Sequence, residues 1–169
     1  GYTGRLQFLV LQHNTVTADL STDPNGIEAD NSNANNAWTP VSNPTLYNAT
    51  MCGFVHASIP NGHFGAVLRR GTLGTLRNFV VSGFGASVDV RNATGPQLIF
   101  TDSLFVHDTL QGQVLAWTEM GASPNNDDDA GFNEVAWITG GTNNEVQASN
   151  GGTWLGCNNT AALDLAPTV

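Results

Sequence analysis

Short apolar runs bounded by Gly, Pro and Asn recur along the chain, and helical periodicity is nearly absent. The runs are of two alternating kinds. The first opens on Leu: Leu6–Leu11, Leu46–Met51, Leu76–Val81 and Leu98–Thr101, the last continuing into Leu104–Val106. The second is shorter and mixes aliphatic with charged residues: Gly26–Asp30, Gly65–Arg69 and Ser87–Arg91, with Gly112–Trp117 as a fourth. The leading leucines are spaced 40, then 30, then 22 residues apart, so the repeat tightens as its loops shorten. Successive coils of a solenoid have this signature, because each strand lies parallel beneath its counterpart and extra residues bulge outward at the turns. A hairpin sandwich would place two-residue Asn-Gly or Asp-Gly turns between neighbouring runs. Here Asn25-Gly26 and Asn61-Gly62 instead lead into runs of the second kind. The pattern therefore predicts an all-β fold, a right-handed parallel β-helix of about four coils, the hand following the crossover rule.

Aligned on this repeat, Ile27, Ala66 and Val88 stack inward, as do Ala29, Leu68 and Val90. Glu28, Val67 and Asp89 point outward, with Asp30, Arg69 and Arg91 beyond them. Inward aliphatic columns at a spacing of about 4.8 Å form the predicted core. After the last coil, residues 130–138 read as a short capping helix begun by Asp129, with Phe132 and Ala136 four apart on one face. The coils and cap thus span 1–138, and the Gly/Asn-rich stretch 139–169 is expected to pack on the outside.

Composition narrows the class. The 169 residues suffice for one domain with a core. Only 11% are charged, none is lysine, and Asn and Gly each occur 19 times, as stacked strands with polar turns require. The net charge of −9 excludes nucleic acid and anionic membrane as electrostatic partners. No apolar run approaches the roughly 18 residues of a membrane span. Cys52 and Cys157 are a disulfide candidate that would close a loop of about 105 residues, a constraint valued at roughly 4–5 kcal/mol. The alternative is a buried free Cys52 and an unrelated Cys157.

Several segments carry a family resemblance: Gly1-Tyr2-Thr3-Gly4-Arg5-Leu6-Gln7-Phe8, Asn25-Gly26-Ile27-Glu28-Ala29-Asp30-Asn31, Ser42-Asn43-Pro44-Thr45-Leu46, and the progression from Gly65–Arg69 to Val88–Arg91. Over about residues 1–138 the chain resembles segments of large uncharacterised secreted or cell-surface β-helix proteins, lipoprotein-like, of myxobacteria and Bacteroidetes-like bacteria. The resemblance implies a β-helix fold and a secreted or cell-surface location. It implies no activity and no catalytic residues.

Among candidate sites, the outward strip Glu28, Asp30, Arg69, Asp89 and Arg91 has the right chemistry for ligand binding. Acidic and basic residues on one sheet face of β-helix lyases and hydrolases bind calcium and sugar carboxylates and transfer protons. The competing reading is a charge ladder, with Asp30 and Arg69 paired across adjacent coils. Asp127, Asp128 and Asp129, with Asn125 and Asn126, offer oxygen ligands suited to calcium, without the spacing of a dedicated loop. His13, His56, His63 and His107 are not grouped as zinc ligands, and no nucleophile elbow or phosphate loop is present. Trp38, Trp117, Trp137 and Trp154 read as covers for the ends of the core, or as a sugar-stacking platform. Asn48, Asn92 and Asn158 open glycosylation sequons.

No residue is assigned to catalysis, and no cofactor is expected beyond calcium. The expected function is a structural or adhesive extracellular module. Its assembly edge is Leu6, Phe8, Leu9, Val10 and Leu11, which a second copy of the chain or further N-terminal coils would cover. A polysaccharide-binding or polysaccharide-cleaving module is the alternative, as is one half of a larger β-helix.

Overall fold

The alternation of two kinds of run becomes an alternation between two sheets. The computed structural model describes residues 1–13, 25–53, 64–92, 97–109, 112–116 and 131–149. In chain order the elements are β1 (Arg5–Gln12), β2 (Ile27–Asp30), β3 (Thr45–Cys52), β4 (Phe64–Arg69), β5 (Gly74–Ser82), β6 (Ala86–Val90), β7 (Leu98–Thr101), β8 (Leu104–Asp108), β9 (Val114–Ala116), α1 (Glu134–Thr139) and β10 (Glu145–Ser149). Runs of the first kind form one sheet in the order β1-β3-β5-β8-β10, with β7 also paired to β5; runs of the second form another, β2-β4-β6-β9. Each described strand pair is parallel and successive strands alternate between the two sheets, so the chain is a parallel β-helix, right-handed by the crossover rule.

The inward columns lie where the alternation puts them. Ile27, Ala66, Val88 and Ala116 share one column, and Ala29, Leu68 and Val90 another. Across the interior, Leu11, Met51, Val81, Phe105 and Val146 form a column of the first sheet. The leading leucines obey the repeat at three rungs only. Leu6, Leu46 and Leu76 are in register, but Leu98 pairs with Gly74 and Phe100 takes the leucine column. The chain enters its fourth rung two residues early, and Phe100 fills the core among Phe79, Phe105 and Trp137, with ring centroids at 5.2, 5.0 and 6.2 Å.

One column bends the first sheet. Phe8, Asn48, Asn78, Asp102 and Asn143 all hold left-handed backbone, with φ from 55° to 59°. They occupy one position on five rungs, so each rung turns a corner there. In the fourth rung the corner separates β7 from β8. Asn and Asp tolerate this conformation far better than other side chains, and they link the rungs. Asn78 Nδ2 donates to Asn48 Oδ1 at 2.6 Å, and Asn143 Nδ2 donates to Asp102 Oδ1 at 2.8 Å.

The far end differs from expectation in two respects. Asn133, not Asp129, caps α1: its Oδ1 accepts from Ala136 N at 2.8 Å. The buried face is Glu134 and Ile138, rather than Phe132 and Ala136. Residues 145–149, assigned by composition to an outer tail, instead form β10, stacked in parallel on β8. Asn144 secures that turn. Its Nδ2 donates to the carbonyls of Phe100 and Ile138 at 2.8 and 2.9 Å, and its Oδ1 accepts from Ser103 N at 3.2 Å.

Candidate functional site

The second sheet presents its charged residues on the outer face, and the register decides who meets whom. Glu28, Val67 and Asp89 share a column, and Asp30 is paired with Arg69. Arg69 Nε lies 2.6 Å from Asp30 Oδ1, and Arg69 Nη2 meets Glu28 Oε1. Arg70, which the alternation had not singled out, completes the group: its Nη1 lies 2.8 Å from Asp30 Oδ2. In an extended strand Arg69 and Arg70 would face opposite ways. Arg70 has φ 56°, which ends β4 and turns the side chain onto the same carboxylate. Burial pushes the Asp30 carboxyl above its ordinary range, and the charge and hydrogen bond of Arg70 pull it back.

One rung on, the arrangement changes. Asp89 was expected at the surface, yet it is 0% exposed, and Val67 beside it is also buried. Arg91 holds Asp89 with Nε at 2.7 Å and Nη2 at 2.6 Å from Oδ2. The Arg91 guanidinium also lies over the Phe64 ring, 5.3 Å from its centroid. Phe64, Val67 and Ala86 form a small apolar cluster separate from the main core. The strip thus divides into Glu28, Asp30, Arg69 and Arg70, half-open to solvent, and a buried Asp89 held by the partly exposed Arg91. Among the described residues Arg69, Arg70 and Arg91 are all neutralised by carboxylates, which is the charge-ladder arrangement.

Glu134 is a second residue that the sequence pattern did not single out. It is buried in the first turn of α1, and its Oε1 accepts from Val90 N at 3.3 Å. Val90 lies two residues beyond the last described pair of β6 with β9, Val88 with Ala116. A Glu in a helix first turn is ordinary on its own, so the sequence carries no signal for this contact.

The remaining candidates are dispersed. His13 and His107 lie on different rungs of the first sheet, and His56 and His63 fall outside the described residues. So do Asp127, Asp128 and Asp129, Trp117 and Trp154, and Cys157. Cys52 is buried and disulfide-bonded. Among the described residues no three His, Cys, Asp or Glu side chains gather as a metal site, and no helix is long and apolar enough to cross a membrane. Trp38 is exposed, whereas Trp137 packs against the core.

Stacked parallel rungs, a bent corner column and a charged outer face identify the architecture, and the family comparison agrees with it. The model of the pectate-lyase-like β-helix domain matches residues 1–155. The chain belongs to that family. Comparison with curated proteins and with solved structures finds no match. In this pectate-lyase-like β-helix domain, the charged strip lies on the outside of the sheet formed by β2, β4, β6 and β9.

Both described histidines have a consequence for pH. Burial lowers the pKa of His13, with a backbone hydrogen bond involving Asn25 opposing, and burial lowers that of His107. Each binds its proton more weakly in the folded chain than at the ordinary 6.5. Their contribution to stability is therefore present above that value and is lost as pH falls through the lowered one. The melting midpoint should drop between about pH 7 and about pH 5, and His107→Gln should flatten that drop. A midpoint that rises on acidification over this range contradicts the assignment.

Proposed function

We propose that the chain is a structural or adhesive β-helix module whose first rung packs against a further coil, supplied by another copy or by further coils of the same β-helix. The observation that carries this reading is the contrast between the two ends of the described stack. At the far end Ile138 of α1 is fully buried, and Phe132 and Trp137 pack against the same core. At the near end Leu6, in the column of the buried Leu46 and Leu76, is 44% exposed, and Leu9, Leu11, Ile27 and Ala29 are only partly buried. An apolar edge strand with one side of its backbone unpaired recruits another strand. The Cys52 disulfide supports an oxidising compartment, and with it a secreted or cell-surface setting.

The reading is tested by placing a charge on the edge. Val10→Lys should leave the melting midpoint of the dilute chain within about 2 °C, because the side chain enters water, in line with surface substitutions of about 0.5 kcal/mol or less. A fall of more than about 5 °C would mean that the chain itself covers this edge, and would overturn the proposal.

A second reading, an acidic-polysaccharide module, is favoured by the family and by the half-open cluster of Glu28, Asp30, Arg69 and Arg70. The paired state of its arginines weighs against it, since a sugar carboxylate would have to displace a protein carboxylate from each. Polygalacturonate and alginate should survive incubation with the chain, with or without calcium. Cleavage that Asp30→Asn abolishes while the fold is retained would establish this reading instead.

A further inference from the structure

We propose that Arg69 and Arg70 form a gated site for a sulfate ester on an otherwise neutral saccharide, with the Asp30 carboxylate as the resident that the ester displaces. The inference takes its site from the second reading of function and adds the ligand and the gate.

Two guanidinium groups converge on one carboxylate. Arg69 Nε lies 2.6 Å from Asp30 Oδ1 and Arg70 Nη1 lies 2.8 Å from Asp30 Oδ2, so the pair grips both oxygens of a single group. The same fork geometry recognises tetrahedral oxyanions. The convergence is built by a turn rather than by Asp30. Thr72 N donates to the Arg69 carbonyl at 3.2 Å, and the two residues between, Arg70 and Gly71, have φ 56° and 75°. Paired positive φ values mark a type I′ turn, whose first central position favours Asn, Asp or Gly. Arg70 stands there against that preference, and strain of this kind gathers at functional sites.

The turn is braced from outside. A Cβ on Gly71 would run into the carbonyl oxygen of Asn36. Asn31 Nδ2 holds that same oxygen at 3.0 Å and the Trp38 carbonyl at 2.9 Å. Glu28 keeps its own contact with Arg69. The two arginines therefore stay aimed at one point when Asp30 lets go. The site faces sideways from β2 and β4, not along the stack, so it does not depend on what lies beside β2.

Few charged groups face Asp30. Arg69 and Arg70 meet it from β4, Glu28 lies two residues before it on β2, and the loop 31–43 brings no titratable side chain. Asp89 and Arg91, one rung further on β6, pair with each other. Burial raises the Asp30 carboxyl above its ordinary range, so mild acid neutralises it while the arginines keep their charge. A sugar carboxylate titrates over much the same range and gains nothing over the tethered one. A sulfate ester stays charged throughout. The net charge of −9 opposes a densely charged polymer, which leaves a lone sulfate on a neutral chain.

Galactose 6-sulfate, titrated into the full 169-residue chain and followed by the NMR shifts of the arginine Nε–H groups, tests the site. At about pH 7, Asp30→Asn should bind it at least about tenfold more tightly than wild type, the scale of one charged hydrogen bond. Wild-type affinity should rise toward about pH 5 with uptake of a proton on binding, while that of Asp30→Asn stays flat. Arg70→Gln should lose binding in either background. If Asp30→Asn does not fold, wild type against Arg70→Gln across that pH range decides alone. Equal affinity of wild type and Asp30→Asn, or equal pH dependence, overturns the gate. Inorganic sulfate that binds as tightly as the ester overturns the saccharide. Tighter binding of galacturonate overturns the sulfate assignment and leaves the second reading standing, since that reading is tested separately by cleavage of polygalacturonate.

Discussion

Phe100→Ala should destabilise the chain by about 3–5 kcal/mol, the range for truncating a buried aromatic, and lower the melting midpoint by roughly 8–15 °C for a chain of this length. Phe100 is 1% exposed and makes edge-to-face contacts with Phe79, Phe105 and Trp137. Its removal opens a cavity where the fourth rung, the third rung and the capping helix meet. Rungs of a solenoid touch only their neighbours, so the loss concentrates at the far end: Ile138 and β10 should lose exchange protection before β3 does. Phe8→Ala is the contrast, since Phe8 is 75% exposed, and it should be neutral or stabilising. Thermal unfolding of the two variants measures the difference directly; equal losses would contradict the placement of Phe100 in the core.

Asn78→Val should cost about 2–3 kcal/mol, although the residue is exposed on a strand, where valine is ordinarily welcome. Two terms add. A β-branched residue held left-handed loses about 1–2 kcal/mol, and the hydrogen bond to Asn48 contributes about 1 kcal/mol. Asn78→Gly removes only the second term and should therefore cost less than half as much. The order Asn, then Gly, then Val in chemical-denaturation midpoints checks the corner column. A valine variant as stable as the wild type would show that the rung does not bend there. By the same argument Phe8→Asn should stabilise the chain, because it relieves the one aromatic in the column.

Much of this fold is legible in the residues, and the exceptions have physical causes. The columns Ile27–Ala66–Val88 and Ala29–Leu68–Val90 follow from simple alternation, because those strands are short, straight and filled with small or branched aliphatics. The pairing of Asp30 with Arg69 follows from the same register. The leucine repeat misleads at Leu98, where Phe100 competes for the column and wins by filling more of the core. The strand β10 escapes because Glu-Val-Gln-Ala-Ser has one strongly apolar residue, and its place is set by Asn144 and the corner at Asn143. That corner leaves a trace, an Asn two residues after Leu46 and Leu76, but Phe8 in the first repeat and Asp102 after Phe100 disguise it.

At the charged strip, alternation predicts which residues face outward but not which are covered, so Asp89 reads as exposed when it is buried. Arg70 joins through a positive φ that no neighbouring residue announces. Glu134 takes part through its contact with Val90 N, a tertiary fact with no local pattern.

Residue-resolved amide exchange of the dilute chain tests the open first rung most directly. The amides of β1 that face away from β3 should exchange nearly as fast as in an unstructured peptide. The amides of β3 and β5 should be slow, as should His13 N, which donates to the Cys52 carbonyl at 2.9 Å. If instead both sides of β1 are protected as well as β3 in a monomer, the first rung is already covered, and its role as a docking end is contradicted.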